Sequence, residues 1–504
     1  MACLLIFSCS TSKNKKLEKP SLTQPPAKKL KTEGVNLNYK VWIDKSKNDK
    51  SKELDRVLLE IWQERKEYWK KTILKDLIRK QNSYVLYNIQ IELSHMLLYA
   101  HKSNNLIIYD DCAGLMLLTL KGLKEVKQMS FRAGATQKLL QYKKPYKMWL
   151  NLNKKNNTKS EVTLTSSQFL FAVAQGIHLF SEIPKNKQSD TVKEFLKLMP
   201  SVILSHYSRW AFNTKQWHVL GWGCSDGFYT HHEFVKKKLT RSFGDKRKRS
   251  YCNAVTDQEL WITAGLAELL SSKILLGSKS SEVKKLKTHL ELCTELFESR
   301  ISETRLTNFN GKFVKGINFD IGAWDDHPDH AFQGYSTEAL PDFSKKKPVK
   351  NSSWDLSHAG RFVFVFGSID KNKKSLGLQF RNDVMEKLSN QVAYKIFNGD
   401  FKNPLFSNFF DGRNGWYRFN RKGKKRNSGA FPSRYSRRFI TKGYLLLGEY
   451  NPDITKIGNS ILECLSKGEN NRFYFKLYSD NAQTLNEVYM PKTLCFFAGL
   501  NSFK

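Results

Sequence analysis

Apolar residues recur at helical spacing along most of the chain. Leu54, Val57, Leu58, Ile61, Trp62 and Trp69 fall on one stripe, with Lys, Arg and Glu between them, which predicts an amphipathic helix. A second apolar helix is predicted at 84–101, and Asp110 and Asp111 read as caps for a third at 112–123. The same reading gives helices at 166–182, 189–209, 256–276, 281–300, 354–368, 384–398, 435–449 and 454–467. The run from Phe169 to Phe180 is apolar nearly all round, which predicts an inner helical layer covered by an outer one. Alternating runs are few, and 470–478 and 491–498 are the best strand candidates. The expected fold is all-α, either an α/α toroid (a two-layer helical barrel) or a solenoid. The chain shows no fixed-period repeat, which favours the toroid. Residues 37–504 read as one such domain, interrupted by long loops at 210–254, 301–353 and 399–434. Loops of that length inside a compact domain carry function more often than not.

The first residues read differently. Leu4 to Phe7 followed by Ser8-Cys9 resembles the end of a bacterial lipoprotein signal, with Cys9 as the lipidated residue, although a basic n-region and most of an h-region are absent. Residues 1–9 are therefore expected to be a truncated signal. Residues 10–36, rich in Ser, Thr, Lys, Pro and Gln, are expected to be a flexible tether. The expected location is the cell envelope, reached through a lipid anchor on the membrane. A basic string at Pro26–Lys31 also fits a nuclear import signal, a weak pattern at this length.

The net charge of +37 favours polyanionic partners: nucleic acid, acidic lipid or acidic polysaccharide. Most of it is lysine scattered over solvated faces. Arginine is not scattered: nine of the 20 arginines lie between Arg361 and Arg438. A planar guanidinium fork matches carboxylate, sulfate or phosphate. The eight cysteines form no Cys-x-x-Cys, which excludes a zinc ribbon or thioredoxin-type site; one or two bridges are compatible with the sequence, which does not assign them. Dinucleotide-fold, Walker A, serine-hydrolase elbow and zincin motifs are absent.

Four clusters could carry chemistry. The first runs from Trp324 to His330, with Asp326 and His327 at its centre and Gln333, Tyr335 and Glu338 beyond. Imidazoles among carboxylates can bind a metal or supply an acid and a base; capped turns with half-exposed histidines are the plain alternative, and no metal is assigned. The second is Ser353–Arg361. Ser352 or Ser353 is expected to cap a helix whose first turn holds Asp355, placing Asp355, His358 and Arg361 at i, i+3 and i+6. A carboxylate beside a histidine fixes its tautomer and raises its basicity; a core histidine beside a structural ion pair is the bland reading. The third is Asn403–Arg418, where Trp416 and Tyr417 could stack on a sugar ring while Arg413, Asn414 and Arg418 hold its polar and charged groups. The fourth is Trp217–Phe234, read as aromatic packing or a second cleft wall. Its adjacent His231 and His232 make a poor chelating pair.

A lipoprotein-like start, a long helical body over roughly 40–470 and loops bearing His, Tyr, Arg and Trp together resemble bacterial α/α-toroid proteins that act on polysaccharide, the polysaccharide lyases and helical glycoside hydrolases. The Asn-Asn-His of many such lyases has no counterpart in this chain. The resemblance implies binding and β-eliminative cleavage of an anionic polysaccharide. By role, Arg361 would neutralise the uronate carboxylate, His358 would take the C5 proton, and Tyr335 or Tyr417 would protonate the leaving oxygen, without a cofactor. A hydrolase on the same fold would pair Asp326 with Glu338 or Asp355, and a non-catalytic glycan-binding lipoprotein is a third expectation. Lys246–Arg249 and Arg421–Arg426 suit a nucleic-acid binder, but no binding module accompanies them.

Overall fold

The computed structural model describes residues 47–133, 136–153, 157–217, 224, 227–243, 250–327, 350–415, 433–466, 477–478 and 494–501. They are mostly helical. In chain order the helices are α1 (Lys47–Thr72), α2 (Tyr84–Ser103), α3 (Leu106–Leu118), α4 (Thr163–Glu182), α5 (Asp190–Ser208), α6 (His231–Leu239), α7 (Asp257–Ser271), α8 (Ser281–Glu298), α9 (Leu356–Ala359), α10 (Arg361–Leu376), α11 (Val384–Gln391), α12 (Ser436–Phe439) and α13 (Pro452–Ser466). Three antiparallel pairs accompany them: β1 (Leu123–Ala133) with β2 (Thr136–Trp149), β3 (Asn151–Asn153) with β4 (Thr158–Ser160), and β5 (Ile301–Thr307) with β6 (Phe313–Phe319).

Four helices make the centre. α4 packs on α2 and α7, and α7 packs on α10. α4 is buried continuously from Leu164 to Phe180, and α7 from Glu259 to Ser271. A helix without a polar face must be covered on every side. The covering comes from α1 against α2, α3 and α5 against α4, and α8 against α7. The expected inner and outer layers are therefore present.

The inner helices all run the same way. Near their N-termini, Thr165 of α4 bonds Ser83 just before α2, at 3.2 Å, and Arg361 of α10 reaches both Tyr87 of α2 and Asp257 of α7. Halfway along, the Phe171 and Trp261 rings meet tilted at 5.2 Å while Phe364 touches Phe171, Trp261 and His95. Towards the C-terminal ends, Glu268 of α7 takes His178 of α4 at 2.5 Å and Ser368 of α10 at 2.7 Å. Four positive dipole ends thus gather on one side of the body.

Several sequence expectations need correction. Asp110 and Asp111 lie within α3, not before it; the cap is Asn105, whose side chain accepts from the Ile108 amide. Asp111 instead accepts from Trp62 and Lys66 of α1. The expected helix 435–449 is two short pieces, α12 and a 3-10 turn over Tyr444–Glu449, separated by Gly443 at φ +82°. The expected helix 354–368 is broken after Ala359, where α9 gives way to α10. Residues 494–501 are helical, which overturns a strand at 491–498, and most of 470–478 lies outside the described residues. The strands that do form were not anticipated. In β1–β2 the register shifts between Val126 and Gln128, and such an irregularity breaks the alternation that advertises a strand.

Among the described residues no helix is long and apolar enough to cross a membrane. Cys224 and Cys252 form a disulfide, while Cys112, Cys293, Cys464 and Cys495 are buried thiols.

Candidate functional site

Asp355 begins the site. It is the N-cap of α9, its Oδ1 accepting from the backbone amides of Ser357 (3.0 Å) and His358 (3.2 Å). This displaces Ser352 and Ser353 from the capping role expected of them. The other oxygen, Oδ2, accepts from His358 Nδ1 at 2.6 Å. Because a carboxylate only accepts, the imidazole proton resides on Nδ1, and Nε2 is the basic nitrogen. Burial raises the Asp355 pKa, but His358 and then Arg361 outweigh it and hold the carboxyl below its usual range. His358 keeps 20 % of its side-chain surface exposed, against 4 % for Asp355. The expected i, i+3 contact is present, and the histidine faces outward from a buried anchor.

Arg361 opens α10. Its guanidinium lies 3.1 Å from Asp257 Oδ2 at the start of α7 and donates to Tyr87 Oη at 3.0 Å. Its charge is therefore already shared with a carboxylate. The surplus charge comes from the segment 433–444, which folds over the same end of the inner helices. Gly360 permits that approach: a Cβ there would stand 2.5 Å from Lys442 Cβ and 2.8 Å from the Lys442 carbonyl oxygen. Tyr444 closes the contact by donating to the Leu356 carbonyl at 2.7 Å, and the Ser436 hydroxyl accepts from the Phe406 amide at 2.8 Å.

This segment groups Arg434, Arg437 and Arg438, with Arg438 near Asp355 and Lys442 near Arg438, Arg361 and Asp257. The cations crowd one another. Burial, then repulsion from Arg438 and Arg361, pushes the Lys442 ammonium down to about 7. Burial, then Arg438 and Arg434, lowers the Arg437 guanidinium to about 9. Arg438 is lowered as well, chiefly by burial, and its Nε is a buried atom with no hydrogen-bond partner among the described residues. No described carboxylate lies within ion-pair distance of Lys442. Tyr435 is pushed upward by burial and then by Asp355.

The other expected site residues have different employment or lie elsewhere. Arg413 bonds Asp411, with Nε to Oδ2 at 2.9 Å, and donates to the Asn351 carbonyl. Asn414 accepts from the amides of Asn408 and Ser433 and donates to the Ser433 hydroxyl. Both tie loop to loop. His327 packs edge-on against Tyr251 and Trp324, and Asp326 accepts from the Tyr251 amide at 3.1 Å. In the fourth cluster Trp217 and His231 are buried against each other at 4.4 Å, so neither lines an open cleft. Cys9, Tyr335, Glu338, Trp416, Tyr417 and Arg418 lie outside the described residues.

Sequence reasoning missed Tyr87, Asp257, Arg437, Arg438 and Lys442. The arginine density between Arg361 and Arg438 was a signal for part of this cluster. It did not tell which arginines would be turned inward.

The chain matches no known family profile, no curated protein and no solved structure.

Proposed function

We propose that the protein binds and cleaves an anionic polysaccharide by β-elimination, at the basic site over the N-terminal ends of α2, α4, α7 and α10. The observation that carries this reading is the crowding of Arg438 and Lys442, neither in an ion pair among the described residues, beside the Asp355–His358 pair. Half-buried cations that repel one another are costly unless an anion neutralises them. Helix N-termini add to the positive potential.

The arrangement supports the following chemistry. A uronate carboxylate seated against Arg438 and Lys442 loses its charge, which makes the adjacent C5 hydrogen removable. His358 Nε2 takes that proton, with Asp355 stabilising the imidazolium. The C5–H electron pair forms the C4–C5 double bond, the C4–O bond breaks, and the departing oxygen takes a proton from a phenol. Tyr87, half-buried and with its oxygen accepting from Arg361, is the phenol assigned that role in this reading. A hydrolase that used Asp355 as nucleophile or acid is disfavoured, because both of its oxygens are already committed to the cap and to His358.

The same reading takes the layered helices as an α/α toroid and the chain as an envelope lipoprotein tethered through Cys9. The Cys224–Cys252 bridge supports an oxidising compartment. The test is to incubate the protein with a panel of uronic-acid polymers and watch for the ultraviolet absorbance of an unsaturated sugar. His358→Ala should lower the rate roughly 10²–10⁴-fold. Cleavage without an unsaturated product, or an unchanged rate in His358→Ala, would refute the mechanism. Equal affinity for any nucleic-acid duplex would point to a nucleic-acid binder.

A further inference from the structure

Away from the basic site, α6 and α8 pack together and bury a cluster of nitrogen and sulfur donors. His231 is the first residue of α6, and its position is fixed by a capping box: the Thr230 hydroxyl accepts from the Glu233 amide while Glu233 accepts from the Thr230 amide. His289 and Cys293 lie at i and i+4 on α8, so both face α6. His231 Nδ1 lies 2.8 Å from His289 Nε2, and that same nitrogen lies 3.7 Å from Cys293 Sγ. All three residues have no exposed surface. Their donor atoms lie within 4.8 Å of one another.

We propose that His231 Nδ1, His289 Nε2 and Cys293 Sγ bind a thiophilic d10 metal ion, zinc(II) or copper(I).

Geometry supports it. Metal–nitrogen bonds near 2.0–2.1 Å and a metal–sulfur bond near 2.3 Å set a tetrahedral N···S separation of about 3.6 Å and N···N of about 3.3 Å. The His289–Cys293 spacing of 3.7 Å already matches. The His231–His289 spacing of 2.8 Å needs to open by only ~0.5 Å.

The surroundings of the ligands also fit. His231 Nε2 is a buried nitrogen without a hydrogen-bond partner, and it faces Glu259 Oε1 at 3.9 Å. Placing the proton on Nε2, towards that carboxylate, leaves the Nδ1 lone pair for the ion, the arrangement common around ligating histidines. On the other ring, His289 Nδ1 lies 3.3 Å from His232 Nδ1, so a proton shared there leaves the His289 Nε2 lone pair for the ion. A proton between His231 Nδ1 and His289 Nε2 makes their 2.8 Å contact a hydrogen bond, and an ion bound there would replace that proton.

Charge sets the class of ion. Glu259 is already matched by Lys238 at 2.7 Å, so Cys293 thiolate would be the one unmatched anion among these groups. One thiolate and two imidazoles suit a soft or borderline ion of low charge. Ligation by Cys293 as thiolate releases its thiol proton.

The test uses the full chain with its disulfide intact, stripped by a chelator, incubated with zinc alone or with copper(I) alone, desalted and assayed for metal. About one retained ion per chain is expected from one of the two arms, with a melting temperature a few degrees higher than that of the stripped protein. Cys293→Ala and His289→Gln should keep their helical circular dichroism and lose the ion. Should either variant fail to fold, cobalt(II) titration of the unaltered protein decides, because sulfur ligation gives a thiolate-to-cobalt charge-transfer band. No retained metal in either arm, full retention by Cys293→Ala, or a cobalt complex without that band overturns the proposal.

Discussion

Lys442 shows how far a single side chain can work against the fold. Its ammonium is lowered from 10.5 to about 7, first by burial and then by Arg438 and Arg361. Between those values the unfolded chain binds a proton that the folded chain does not, so stability rises with pH across about pH 7 to 10; below it the full penalty stands. Lys442→Met should therefore melt higher than the parent at pH 7, with the gap closing towards pH 10, and should bind acidic polymer more weakly. Scanning calorimetry and a binding titration measure the two halves of this trade. Asp355 has the opposite sign. Its depressed carboxyl contributes stability that is present above the unfolded value near 4 and is lost as pH falls through the folded one. Asp355→Asn weakens the α9 cap and the hold on His358. It should cost about 0.5–2 kcal/mol at pH 7, less in acid, and slow any turnover that depends on His358; chemical denaturation at pH 7 and pH 3 gives the comparison. The sequence made the Asp355–His358 contact legible, because i, i+3 spacing on a helical turn leaves little choice. It could not show that Asp355 would itself be the cap.

Gly360 decides how two elements meet. Its missing Cβ lets the Lys442 backbone lie against the α9–α10 junction. Gly360→Ala should cost about 1–3 kcal/mol by overpacking and should reduce polymer binding, because it moves Lys442 away from the inner helices. Urea unfolding and a binding isotherm check the pair of effects. The long apolar elements were readable from periodicity: α2, α4, α7 and α8 lie close to where their stripes place them. The Arg434–Lys442 segment was not. Its composition suits a helix as well as a turn, and only the positive φ of Gly443 and the contact at Gly360 turn the chain. The β1–β2 hairpin escaped for a similar reason, since its register slip scrambles the alternation.

Across the whole molecule, the Cys224–Cys252 bridge closes a loop of 28 residues between parts of the fold that feed α6 and α7. Reducing it should lower stability by about 3.5 kcal/mol on a chain-entropy estimate; melting curves with and without reductant measure this. The metal site draws on the same region yet was illegible in the sequence, because His231 and His289 stand 58 positions apart and only the packing of α6 on α8 joins them.

The inner helices share one direction, while α1, α3, α5 and α8 run the opposite way around them: Tyr99 meets Asp55, Phe180 meets Tyr109 and Phe195, and Arg300 meets Asn253. The field of the gathered N-termini is therefore local to their first turns and is not a dipole of the whole body. On the proposed function, long-range attraction of an acidic polymer would come from the net charge of +37, and the helix ends would act only once it is seated. Added salt should then slow arrival far more than it hastens departure.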